Sequence, residues 1–139
     1  GWDMHNDVAS SMADKGPALD QAVSALIRDL DSSGLLNETL IVLASEFGRS
    51  PAINQNAGRD HHPAAFSYVL AGAGIKGGAV YGKSDEKGHG IDEDPVGITD
   101  FNSTITVACG LDPNKEHFAP NGRPFKIGGG GDPIYDVLT

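Results

Sequence analysis

The run Thr39-Leu-Ile-Val-Leu-Ala-Ser45 puts apolar side chains on both faces of any strand it forms. A strand with one wet face alternates apolar and polar residues, so this run predicts a central parallel strand covered by helices on both sides. A helix is expected just ahead of it. Leu19, Ala22, Val23, Leu26, Ile27 and Leu30 recur at three- and four-residue spacing, which predicts a helix from about Pro17 to Ser33. Pro17 falls at its first position and Gly34 supplies the stop. A second buried strand, Phe66 to Ala71, runs into a glycine-rich turn at Gly72–Ile75. Another helix is expected over Asp100–Cys109, capped by Thr99, ended by Gly110, with Ile98, Phe101, Ile105 and Ala108 toward the core. Short strands are expected at Ala79–Tyr81, Arg123–Ile127 and Ile134–Leu138, with Gly128–Gly131 as a flexible connection. Helix, strand, long loop, strand, loop and helix in this order fit a mostly parallel open α/β sheet flanked by helices, in one domain spanning residues 1–139.

Composition narrows the function. The formal net charge is −9, so the basic footprint that nucleic acid requires is absent. No apolar run approaches the roughly 20 residues of a membrane-spanning helix. Nineteen glycines and eight prolines imply much turn and loop, which suits a site built from loops. The single cysteine, Cys109, rules out an internal disulfide framework and a cysteine-based zinc cluster; on an apolar helix face it reads as core. The opening Gly1-Trp2-Asp3-Met4-His5 has no initiator Met and no signal segment, which leads to the expectation that sequence is missing ahead of it. Localisation and oligomeric state are not legible.

Metal ligands concentrate in three places: Asp3 with His5, Glu46, and Asp60-His61-His62. Glu46 falls at the carboxyl end of the first strand, where open α/β sheets gather ligands, and the Ser50–Pro63 loop can return His61 and His62 to the same edge. Carboxylate oxygen with imidazole nitrogen is the usual donor set of a catalytic divalent ion. Arg49 and Arg59 flank these positions, and a guanidinium fork suits phosphate or sulfate. Each has a plainer reading. Asp3 and His5 fit a solvated chain start, Glu46 fits a surface ion pair with Arg49, and the arginines fit neutralisation of nearby carboxylates. Adjacent histidines on a glycine-containing loop are the hardest to explain as filler.

Gly1-Trp2-Asp3-Met4-His5, Thr39 to Arg49, Ala57-Gly-Arg-Asp-His-His-Pro63, Leu70 to Gly78 and the Asp100–Leu111 segment, in this order, resemble the C-terminal part of the bacterial domain-of-unknown-function 1501 family. That resemblance carries a placement in the alkaline phosphatase and sulfatase superfamily. It implies an alkaline-phosphatase-like fold, incomplete here, with the nucleophile-bearing half upstream. It also implies a divalent metal, zinc first and calcium, magnesium or manganese as alternatives, held by ligands from Asp3, His5, Glu46, His61 and His62. Where the superfamily has an Asp-His pair this chain has Glu46-Phe47, and Phe47 cannot be a ligand.

The leading expectation is hydrolysis of a small anionic phosphate or sulfate ester, with Arg49 or Arg59 on the anion and catalysis requiring the upstream half, so that weak or no turnover is expected of residues 1–139 alone. The alternative is a non-catalytic metal- or ligand-binding member of the same fold. A third reading is an acidic interaction module with no site.

Overall fold

The computed structural model describes all 139 residues. Helix α1 spans Val8–Ser32 and begins nine residues ahead of Pro17, which lies inside it. The early start has a tertiary cause. A helix leaves its first N–H groups without partners of its own. Here the N–H groups of Asp7 and Val8 are bonded at 3.0 and 2.9 Å to the carbonyls of Asn56 and Ala57, on a loop some fifty residues away. Gly34 does end the helix region, in the left-handed conformation at φ 76°. A 3-10 turn, Leu35–Asn37, follows and is the chief packing neighbour of α1.

Strand β1 (Leu40–Leu43) and β4 (Val69–Gly72) form from the two apolar runs. They pair antiparallel, from Leu40↔Gly72 to Leu43↔Val69. Three further antiparallel ladders complete the strands: β2 (Gly48–Arg49) with β3 (His61–His62), β5 (Lys83–Ser84) with β6 (Ile91–Glu93), and β7 (Glu116–Phe118) with β8 (Pro124–Lys126). Each ladder has two strands. The expected mostly parallel open sheet flanked by helices, and the alkaline-phosphatase-like architecture with it, is therefore overturned. An apolar run reports a demand for burial, not strand direction. A parallel pair needs a crossover connection, usually helical. The chain between β1 and β4 contains only the β2–β3 hairpin. Neither side of β1–β4 is well covered: Val42, Leu43 and Val69 are 40, 43 and 56% exposed, and α1 has no buried residue.

The tightest packing lies elsewhere, around α2 (Ile98–Ala108). Its N-cap is Gly97, not Thr99, and Asp100 Oδ2 accepts the Gly97 N–H at 3.0 Å. Phe101 is buried and stacks on Tyr68 with ring centroids 4.0 Å apart. Ile98, expected in the core, is exposed, and so is Cys109 at the C-cap. The helix buries hydroxyls instead. Ser103 Oγ is shared between the carbonyls of Gly128 and Gly131, at 3.0 and 2.8 Å. Thr104 Oγ1 donates to the Asp100 carbonyl and accepts the Ile134 N–H. The Gly128–Gly131 run is thus a docked segment rather than a free connection. A Cβ at Gly131 would overlap the Thr99 backbone, so only glycine allows that approach.

Two smaller expectations also change. Ala79–Tyr81 forms no strand, and the hairpin lies just beyond it in β5–β6. The Ile134–Leu138 segment holds a 3-10 turn, Tyr135–Val137, with one bridge from Leu138 to Ile75. Arg123–Ile127 does contain a strand, β8.

Ser103→Ala removes the hydroxyl that the buried Gly128 carbonyl and the part-buried Gly131 carbonyl share. It is expected to lower the free energy of unfolding by about 1–3 kcal/mol, read as a lower urea midpoint. Ser84→Ala, on an exposed strand, should leave that midpoint in place.

Candidate metal centre

Residues 4–8 and 54–59 lie side by side. The Arg59 N–H bonds to the Met4 carbonyl at 3.0 Å, Asn6 bridges to Ala57, and the α1 start is tied to Asn56 and Ala57. Gly58 is buried at the crossing point, where a Cβ would overlap the His5 carbonyl. Glycine here is a condition for the two segments to touch. The loop itself is closed by the β2–β3 register, Gly48↔His62 and Arg49↔His61, and by the Ser50 N–H to Asp60 carbonyl bond at 2.8 Å. It carries His61 back to the first residues of the chain.

Three side-chain atoms converge as a result. His5 Nε2 is 3.1 Å from Asp3 Oδ1, His61 Nε2 is 3.0 Å from the same oxygen, and the two Nε2 atoms are 3.2 Å apart. Asp3 and His61 are exposed and His5 is half-buried. His5 Nδ1 points the other way and bonds to Asp60 Oδ1 at 2.8 Å. Asp60 Oδ1 also accepts from Asn54 Nδ2 at 3.0 Å.

The remaining sequence-predicted site residues divide. Arg49 joins the group, with Nη2 2.5 Å from Asp3 Oδ1, and Nη1 donates to the Arg59 carbonyl. Arg59 faces its own loop, with Nη1 on the carbonyls of Ser50 and Pro51. Glu46 is exposed and outside the trio, on the wall of an adjoining cavity of about 460 Å³ that Trp2, Met12, Phe47 and Arg49 also line. His62, alternating with His61 on β3, bonds through Nε2 to the His89 carbonyl at 3.0 Å. His89 belongs to the tip of the β5–β6 hairpin, which Asp85 holds by accepting the N–H groups of Lys87, His89 and Gly90.

A family model described as Protein of unknown function (DUF1501) matches residues 1–138. The chain belongs to this family. No curated protein and no solved structure matches it.

In this DUF1501 chain three roles escaped the sequence. Phe47 packs its ring 4.2 Å from that of His61 and lies under the Arg49 guanidinium, so it shapes the centre without ligating. By sequence Asp60 groups with the possible ligands, whereas it contacts the far nitrogen of His5 and lies outside the trio. Asn54 carried no signal, because its partners are fixed by the fold.

The charges agree with the geometry. The Asp3 carboxyl is lowered from 3.8 to about 2, first by its hydrogen bond with His61 and then by that with Arg49. Asp60 is lowered too, chiefly by His5 and then by Asn54. Asp85 is lowered by the N–H groups around it, that of His89 foremost.

A donor set of two imidazoles and one carboxylate suits zinc. Bonds of about 2.0–2.1 Å set neighbouring ligand atoms of a tetrahedron roughly 3.3 Å apart. The triangle of Asp3, His5 and His61 has edges of 3.0–3.2 Å, close to one face of such a figure. Three ligands would leave a fourth tetrahedral position open, an arrangement found in catalytic rather than structural zinc sites.

The depressed Asp3 value gives a signed prediction. A carboxyl whose folded pKa lies below its unfolded one contributes stability above the unfolded value and loses it as pH falls through the folded one. The Asp3 contacts should thus be complete above pH 3.8 and fade toward about pH 2. An NMR titration of the Asp3 carboxyl carbon in metal-free protein checks this, and a midpoint at the ordinary value would refute it.

Proposed function

We propose that this chain binds a divalent metal ion, zinc by preference, through Asp3, His5 and His61, and that the centre serves hydrolysis of a phosphate or sulfate ester. The convergence of one carboxylate oxygen and two imidazole nitrogens into a triangle of metal-binding size carries the reading. A relation to the alkaline phosphatase and sulfatase superfamily belongs to the proposal through the sequence resemblance and this donor set alone, since the antiparallel ladders do not carry that superfamily's architecture.

The residues divide the work by chemistry. Asp3 and the two Nε2 atoms hold the ion. A bound ion supplies a Lewis acid for a phosphoryl or sulfuryl oxygen. Arg49, already on Asp3, places a fixed positive charge beside the open position and faces the adjoining cavity. The cavity wall combines Arg49 and Arg59 with the carboxylates of Asp3 and Glu46 and with apolar Trp2, Met12 and Phe47, so an ester with an apolar body fits it once an ion at the trio offsets the carboxylates. No Ser, Thr or Cys side chain is hydrogen-bonded to the three ligands.

Two observations favour a second reading, metal binding without turnover. Arg59 spends its guanidinium on loop carbonyls, and Glu46 stands apart from the trio.

Zinc titration by calorimetry, with elemental analysis of the loaded protein, tests the centre. One ion per chain is expected. His61→Ala should weaken binding by more than the roughly 10–100-fold typical of outer-sphere changes, whereas His62→Ala should stay within that range. Equal affinity in wild type and His61→Ala would dismiss the centre. Release of nitrophenol from its phosphate or sulfate ester by loaded protein, lost in Arg49→Ala, supports hydrolysis; bound zinc with no release supports the second reading.

A further inference from the structure

Asn54 uses its whole side-chain amide. Its Oδ1 accepts the N–H groups of Asn56 and Gly58, both at 2.9 Å. Its Nδ2 donates to the His5 carbonyl and to Asp60 Oδ1, both at 3.0 Å. The partners settle which end is which. Two N–H donors require the oxygen, and a carbonyl with a carboxylate requires the nitrogen. One planar group therefore holds the turn of the loop, the backbone of a ligand residue, and the carboxylate that meets that ligand's ring.

We infer that Asn54 is a positioning residue that acts through Asp60 to fix the tautomer of His5. The inference rests on the metal-centre reading and assigns it an outer shell. An ionised carboxylate only accepts, and the His5 ring lies between two of them, with Asp60 Oδ1 2.8 Å from Nδ1 and Asp3 Oδ1 3.1 Å from Nε2. Asp3 Oδ1 already meets the Arg49 guanidinium and the His61 ring, so the shorter Asp60 contact, which Asn54 holds in place, sets the hydrogen of a neutral ring on Nδ1. Nε2 then presents its lone pair toward Asp3 and His61. Without that constraint a neutral imidazole distributes its hydrogen between both nitrogens, and the wrong tautomer has no lone pair to offer at Nε2.

Asp60 is 58% exposed and cannot hold its position by burial. Asn54 supplies what burial does not. Its two acceptors, the His5 carbonyl and Asp60 Oδ1, belong to the same residue pair that the tautomer depends on, so ring and carboxylate are set from one point. This also explains why an asparagine and not an aspartate suits the position. A carboxylate would keep the two bonds from Asn56 and Gly58 but turn its second oxygen on a carbonyl and another carboxylate.

The test uses Asn54→Asp, which preserves shape and removes both donors, with Asp60→Ala and Asp60→Asn beside it. Nitrogen-15 NMR of metal-free protein, at a pH where the rings are neutral, reports the His5 tautomer. Wild type should show Nδ1 protonated. Asn54→Asp and Asp60→Ala should show mixed tautomers and zinc affinity reduced about 10–100-fold. Asp60→Asn, whose amide oxygen still accepts from Nδ1, should restore the tautomer and part of the affinity. A purely structural role would lower the melting temperature while the folded protein kept the wild-type tautomer, and that result overturns the inference. Should Asn54→Asp fail to fold, the Asp60 pair decides: equal tautomer populations in Ala, Asn and wild type overturn it. The NMR arm needs no metal. If wild type takes up no zinc while the tautomer responds as expected, the positioning role stands and the metal reading falls.

Discussion

Contact between two backbones at Gly58 governs the rest of the site. Residues 4–8 and 54–59 approach closely enough for Arg59 to bond to Met4, for Asn6 to bridge Ala57, and for the first turn of α1 to be capped by loop carbonyls. Remove the approach and three things go together: the helix start, the meeting of His5 with His61, and the clasp of Asn54 on both segments. The site is held by hydrogen bonds between main chains more than by hydrophobic burial. Met4 and Phe101 are the only large apolar residues among the eight buried ones, and Met4 is the residue whose carbonyl the loop takes.

Electrostatics then tightens what the backbone brings near. Asp3 Oδ1 accepts from Arg49 and meets the His61 ring at 3.0 Å, so the carboxylate is already engaged. A cation entering the trio must share that oxygen with a guanidinium, which disfavours tight binding of a weakly held hard ion. In the proposed centre imidazole nitrogen would supply most of the affinity, which suits a borderline ion such as zinc better than calcium or magnesium.

Several parts of this were legible in the sequence. Apolar spacing located both helices, and the two apolar runs located β1 and β4, because burial demand is written locally. Strand direction was not, since it depends on the connection that joins the strands, and the β2–β3 hairpin replaced the helical crossover that a parallel pair needs. At the site, residue chemistry singled out Asp3, His5, His61 and Arg49, which the fold brings together. Chemistry alone could not separate His61 from His62, because neighbours on a strand face opposite ways and only the register says which faces Asp3. Asn54 and Phe47 are illegible for a related reason: their roles consist of tertiary partners, and nothing in their own type or spacing announces these.

The alternation on β3 has a mechanical consequence. One ring reaches the carboxylate of Asp3, and the adjacent ring bonds to the main chain of a separate turn that is hydrogen-bonded to Asp85. The two-residue ribbon is thus a rivet fastened on both sides. Any force that lifts the Asp85–Gly90 tip is delivered, one peptide unit later, to the imidazole that completes the triangle.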